Sequence, residues 1–174
     1  HRVRRTLTLS ANPFLQDHVV NGQAVLPTVC AISWMSSTCE MLYPGLRLQT
    51  VQDYKVFKGI VFDDSLAKEY WLELKEFNKE PNSVALDVDV VSEFNNRKRY
   101  HYRAKIFLSA ARSERPMVSR TENEATFEDA GIQLYEDGTL FHGPAFRGIE
   151  SIESLNESHL RMACRVPTVN GVKQ

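Results

Sequence analysis

Cysteine is scarce in this chain, three among 174 residues, and no two stand at the short spacing of a metal knuckle. Cys30 and Cys39 fall in one apolar segment, and at about 100° of helix per residue they face opposite ways. That excludes a shared metal ion or a disulfide between them, and thiols in apolar surroundings suit a reducing cytosol. Glycine is also thin, at eight, with no glycine-rich run of the kind that cradles phosphate. Neither sign of charge dominates: 21 basic and 22 acidic residues leave a net charge of −1. The charges are interspersed, so no basic face points to nucleic acid or to an anionic membrane surface. Arg97-Lys98-Arg99, following Asn95-Asn96, reads as a solvated turn. Apolar runs fall short of the roughly 18–20 residues that span a bilayer. The basic start (His1, Arg2, Arg4, Arg5) lacks the apolar stretch of a signal peptide. Opening on His1, the chain reads as a segment of something longer.

What is present suffices for a core: 43% of residues are hydrophobic and 25% charged, the balance of an ordinary globular protein. Residues 2–9 alternate Val3, Leu7 and Leu9 against Arg4, Thr6 and Thr8, a strand with one polar face. Asn12-Pro13 ends it. Residues 28–43 are apolar and small (Val29, Cys30, Ile32, Trp34, Met35), carry one charge at Glu40, and stop at Pro44-Gly45. They predict a helix buried on most sides. Strands follow at 50–57, 68–77, 83–91 and 100–108, with a turn at 78–82. The last two alternate strictly, Val84, Leu86, Val88 and Val90 in one and Tyr102, Ala104, Ile106 and Leu108 in the other. An antiparallel sheet curled around a central helix is an α+β fold of the hotdog type. Residues 1–112 make this first unit. Residues 113–130 read as a polar linker, and 131–174 as the beginning of a second unit with strands and no helix to cover them. Within it Ile132 to Tyr135 read as strand, and Cys164 falls on an inward phase. His101 and His159 fall on polar phases and read as solvated, whereas Trp34 and Met35 read as core.

The chain is organised around Asp17-His18-Val19-Val20-Asn21-Gly22-Gln23-Ala24-Val25-Leu26-Pro27. A histidine is followed by a glycine where the backbone turns tightly and approaches something, then by a proline opening the helix, where a missing N–H costs nothing. His18 is a candidate base on a loop, although on residue type alone a histidine ahead of a helix is more often a solvated loop residue. The order of these residues, together with the later Gly138, Phe141, His142, Gly143, Pro144, Ala145, Phe146 and Arg147, adds a second line. His18-xxx-Gly22-xxxx-Pro27 resembles the HxxxGxxxxP motif of dehydratase domains in polyketide synthases, and the later run is similar to their GYxYGPxF motif. Val25-Leu26-Pro27-Thr28 looks nearest to the dehydratase-like domains of polyunsaturated fatty acid synthases.

The resemblance implies a double hotdog, its second unit incomplete here, that eliminates water from a β-hydroxyacyl thioester to give the trans-2-enoyl thioester. His18 matches the family base. Gly22 keeps a Cβ out of the acyl channel, and Pro27 with the N–H groups near Thr28 faces the thioester carbonyl, although relatives carry glycine where Thr28 stands. His142 replaces the usual tyrosine; it either hydrogen-bonds near the site or lies in a surface turn. Gly143, Pro144 and Phe146 complete the substrate-binding set. The partner acid, an aspartate in a D-x-x-x-Q/H motif, is expected beyond Gln174; Asp129 and Gln133 share that spacing by chance. No cofactor or metal is implied, the substrate arriving on the phosphopantetheine of an acyl carrier protein. Further partners are neighbouring synthase domains and a second copy, through hotdog pairing at an open sheet edge, in the cytoplasm. The alternatives are a non-catalytic pseudo-dehydratase that binds or scaffolds acyl groups, and a product-template or thioesterase-like hotdog.

Overall fold

Alternation of apolar and polar residues sets most of the backbone. In the computed structural model, which describes residues 1–63, 69–111, 130–155 and 160–165, strands β1 (Arg2–Thr6), β4 (Arg47–Val56), β5 (Glu69–Glu80), β6 (Ser83–Phe94) and β7 (Arg97–Ser109) form one sheet. Its order is β1-β5-β6-β7-β4, every pairing antiparallel. Two short strands, β2 (Val19–Val20) and β3 (Gln23–Ala24), pair with each other. So do β8 (Ile149–Leu155) and β9 (Leu160–Cys164). Helix α1 is Thr28–Leu42 and α2 is Ala130–Glu136, with single 3-10 turns at Pro13–Asp17 and Pro144–Phe146.

The chain divides into two compact units, His1–Asn12 with Val25–Arg115, and Pro13–Ala24 with Pro116–Gln174. The histidine loop therefore groups with the second unit, not with residues 1–112 as the sequence order suggests. In the first unit α1 packs on β7 and β4. The core of that unit is Ala31, Trp34, Met35 and Cys39 from the helix with Leu72, Leu74, Leu86, Val88, Val90, Tyr102, Ala104, Ile106 and Leu108 from the sheet, all buried. Burying one such side chain contributes about 1.5–3 kcal/mol, so the alternating strands and the helix face hold each other in place. Burial pushes the Cys39 thiol up to about 12, so this thiol stays protonated and acts as packing.

Several expectations are corrected. Helix α1 is one-sided: Val29, Ser33, Ser37 and Met41, four apart along one stripe, are exposed. The spacing of buried Ala31, Trp34, Met35, Thr38 and Cys39 marks the face that packs. Strand β1 stops at Thr6, ahead of the turn that closes when Asn12 donates its N–H to Thr8 O. Strand β5 runs on to Glu80 through an irregularity between Glu76 and Asn78, so the turn is tighter than 78–82. Arg97-Lys98-Arg99 lie in β7, and the turn is Asn95-Asn96 alone, both with positive φ. Residues 132–135 are helical, with Tyr135 buried and Leu134 half-buried, a spacing that suits a short amphipathic turn. Cys164 is exposed. His159 and Asp129 lie outside the described residues.

His101 is the clearest departure. Val90 pairs with Tyr102 and Val91 with Tyr100, so β7 carries one residue more than β6 at this point. That residue is His101, and the bulge turns it and Tyr102 inward together; both are 1% exposed. Its Nδ1 donates to Lys58 O at 3.0 Å, because a carbonyl can only accept. Nε2 therefore accepts from Ser92 Oγ at 2.8 Å, and Tyr70 presents its ring edge at 5.3 Å. Burial holds the imidazole below its ordinary pKa. A buried histidine with both ring nitrogens satisfied is a structural element.

Candidate functional site

The second unit assembles a site around His18 from two stretches far apart in sequence. The 3-10 turn Pro13–Asp17 is anchored by Leu15, 1% exposed, and closes when the His18 N–H donates to Leu15 O at 3.1 Å. Beyond His18 the chain reverses through Asn21 and Gly22, with φ of 51° and 78°. Positive φ at both central residues of a two-residue hairpin is the type I′ pattern, for which Asn-Gly is the preferred pair. Gly22 is thus present for its backbone angle. A Cβ there would meet nothing within 4 Å, so the close approach expected of it is not found.

The second stretch is Phe141 to Arg147. The Asp17 carbonyl accepts from the Gly143 N–H at 2.7 Å, and Asp17 Oδ2 accepts from the Ala145 N–H at 2.8 Å. This pair of hydrogen bonds fastens the histidine loop to the Gly143-Pro144 turn. Side-chain bulk is excluded at the junction, since a Cβ on Gly143 would lie 2.5 Å from Asp17 Oδ1. The turn is stiffened further as Phe146 N–H donates to Gly143 O at 3.0 Å and Arg147 Nε to His142 O at 3.2 Å.

Over this junction the rings converge. The His18 ring centroid lies 5.2 Å from Phe141, 5.4 Å from His142 and 5.7 Å from Phe146. Phe141 stacks on His142 at 4.3 Å, and Phe14 packs on Phe146 at 6.0 Å. His18 and His142 are both half-buried. Partial burial, and then the proximity of His18, hold His142 below the ordinary histidine pKa; at neutral pH it is an uncharged donor and acceptor. The His18 imidazole thus lies against two phenylalanine rings and a second imidazole, with Phe141 on the exposed side of the cluster.

Of the residues expected in the site, His18, His142, Gly143, Pro144 and Phe146 come together in this unit, with Gly22 in the adjoining hairpin. Pro27 and Thr28 belong to the first unit. Pro27 is the N-cap of α1 rather than its first turn, and its carbonyl accepts from Cys30 and Ala31; Thr28 leads the helix and is exposed. Asp17 and Phe14 are additions. The signal for Asp17 was its place beside His18, which carries no pattern of its own. Among the described residues no group of His, Cys, Asp or Glu could hold a metal ion, and no helix is long and apolar enough to cross a membrane.

An antiparallel sheet packed on one long helix is a hotdog-type unit. The profile of the polyketide synthase dehydratase domain matches residues 1–93, and the chain belongs to that family. Over 165 residues it is 32% identical to a polyunsaturated fatty acid synthase component from Thraustochytrium sp., a match that covers 94% of this chain and 6% of that protein. Among solved structures, the dehydratase domain of the polyketide PpsC from Mycobacterium tuberculosis superposes with a TM-score of 0.67 at 14% identity. That match covers 95% of this chain and 58% of the other. A trans-AT PKS dehydratase domain from Brevibacillus brevis gives 0.66 at 19% identity, covering 94% and 63%. At such identities the two establish the hotdog fold. The chain spans about six-tenths of those solved domains and a small fraction of the fatty acid synthase polypeptide.

Proposed function

We propose that this chain supplies the histidine half of a 3-hydroxyacyl-[acyl-carrier-protein] dehydratase within a polyketide or polyunsaturated fatty acid synthase. The observation that carries the reading is His18 held against Phe141, His142 and Phe146 in a member of this family. Imidazole is the side chain best suited to taking and giving protons near neutral pH. His18 removes the Cα proton of a β-hydroxyacyl thioester. The electron pair becomes the Cα–Cβ double bond, and the β-hydroxyl leaves as water with a proton from an acid. That acid is assigned to an aspartate in the sequence that follows Gln174. The phenylalanines line the acyl chain and keep bulk water from the base.

No cofactor takes part in this scheme. The substrate arrives on the phosphopantetheine arm of an acyl carrier protein, from neighbouring domains of a cytoplasmic, dimeric synthase. The test is to incubate the complete domain, with the residues that follow this chain, with a β-hydroxyacyl carrier protein and to follow enoyl formation. General-base catalysis contributes about 10²–10⁴-fold, so His18→Ala should lose about that much. Dehydration by His18→Ala at the wild-type rate sinks the assignment of the base. A wild-type domain that binds the acyl carrier protein without releasing water points to the scaffolding alternative.

A further inference from the structure

We propose that Asp17 is a positioning residue for His18, acting as a clasp between the histidine loop and the Gly143-Pro144 turn. The inference rests on the dehydratase reading for its catalytic consequence, while the clasp itself stands on geometry. Asp17 makes two bonds that join the stretches, with its carbonyl to the Gly143 N–H at 2.7 Å and its carboxylate to the Ala145 N–H at 2.8 Å. The next residue is His18, and the residues on either side of the turn, His142 and Phe146, are the rings that face it. The register of Asp17 on the turn therefore sets where the His18 ring stands relative to Phe141, His142 and Phe146.

The junction has room for one arrangement. Gly143 lies so close that a Cβ there would come within 2.5 Å of Asp17 Oδ1, 2.7 Å of Cγ and 2.8 Å of Cβ. Gly143 is thus required for the approach of the aspartate, and its φ of −76° makes no demand for glycine. Without the carboxylate, the Ala145 N–H loses this partner. Displacement of a reacting group by about 1 Å costs about a hundredfold in rate, so a clasp one residue from the base is a determinant of kcat.

The requirement is for an acceptor of this shape, not for a charge, which separates Asp17→Asn from Asp17→Ala. With Asp17→Ala in the complete domain, kcat should fall about ten- to a hundredfold with KM within about threefold; Asp17→Asn should stay within about threefold of wild type. Independently of turnover, nuclear Overhauser contacts between the His18 and Phe146 rings should persist in Asp17→Asn and vanish in Asp17→Ala. Should Asp17→Ala fail to fold, Gly143→Ala gives the same reading, since its Cβ must expel the carboxylate while leaving the residue in place. Retained ring contacts in either alanine variant overturn the clasp, whether or not any enoyl product forms. Asp17→Asn falling as far as Asp17→Ala would also overturn it. A wild-type domain that forms no enoyl product, with ring contacts responding as expected, refutes the dehydratase reading and leaves the clasp standing.

Discussion

Replacing Ser92 by alanine tests the buried histidine of the first unit. Ser92 is 2% exposed, and its hydroxyl is the donor to His101 Nε2 at 2.8 Å. Removing it leaves a ring nitrogen, 1% exposed as a residue, with no water to replace the lost donor. An unsatisfied buried acceptor costs about 1–3 kcal/mol, and the small cavity left by one oxygen adds little to that. Both tryptophans of the chain, Trp34 and Trp71, lie in the first unit. Urea unfolding followed by tryptophan fluorescence therefore reports this unit alone. At about pH 8 the Ser92→Ala midpoint should shift by an amount equivalent to about 1–3 kcal/mol, with the slope unchanged. The wild type carries a pH signature as well. His101 is neutral when buried, its folded pKa below the unfolded value of about 6.5. Stability from that preference is complete above the unfolded pKa and is lost as pH falls through the lower folded one. A Ser92→Ala protein as stable as wild type at about pH 8 would refute the network as a contributor, since the desolvated acceptor must cost something.

Gly22→Ala puts a Cβ on a backbone at φ of 78°, which costs about 1–2 kcal/mol; circular-dichroism melting should fall accordingly, and the β2–β3 amides should exchange faster. Gly131→Ala places a Cβ 2.8 Å from the backbone of Glu150 and Ile149, against which no flexible group can yield. The overpacking costs about 1–3 kcal/mol and should appear as lost protection in β8, because the tryptophans are silent there. In a proton NMR titration His142 should titrate below free histidine; His18→Gln should raise it by removing the like charge, yet leave it below the free value because burial is the larger cause. A titration unchanged by His18→Gln would contradict their proximity.

The parts of the fold with regular repetition were legible in the residues. The alternation of Val84 to Val90 and of Tyr102 to Leu108 located two core strands and their inward faces, and the apolar small-residue run located α1 to within a residue. Where repetition breaks, the sequence misleads. A bulge at His101 changes the phase of β7 by one position, and nothing local in Tyr100-His101-Tyr102 distinguishes it from a regular strand with a polar histidine. Ile132 and Tyr135 are β-formers, yet residues 132–135 are helical, with Tyr135 reaching the Ile149 N–H and Gly131 letting α2 lie close on β8. The site was half visible. His18 and the Gly143-Pro144 turn announce themselves by residue type, whereas Asp17 acts through backbone partners more than a hundred residues away, and such partners leave no trace in spacing.

The order β1-β5-β6-β7-β4 also fixes a sequence of events. Strands β5, β6 and β7 are joined by tight hairpins, so their pairing closes short loops, while β1 and β4 pair with strands more than forty residues further on. Local pairing precedes non-local pairing, so the three central strands form a platform onto which the two outer strands dock. Pulse-labelled hydrogen exchange during refolding should protect β5–β7 amides before those of β1; simultaneous protection would rule the platform out. As the chain leaves the ribosome, β1 and β4 emerge before the strands that pair with them. Both outer strands must wait, unpaired, for the middle of their own sheet.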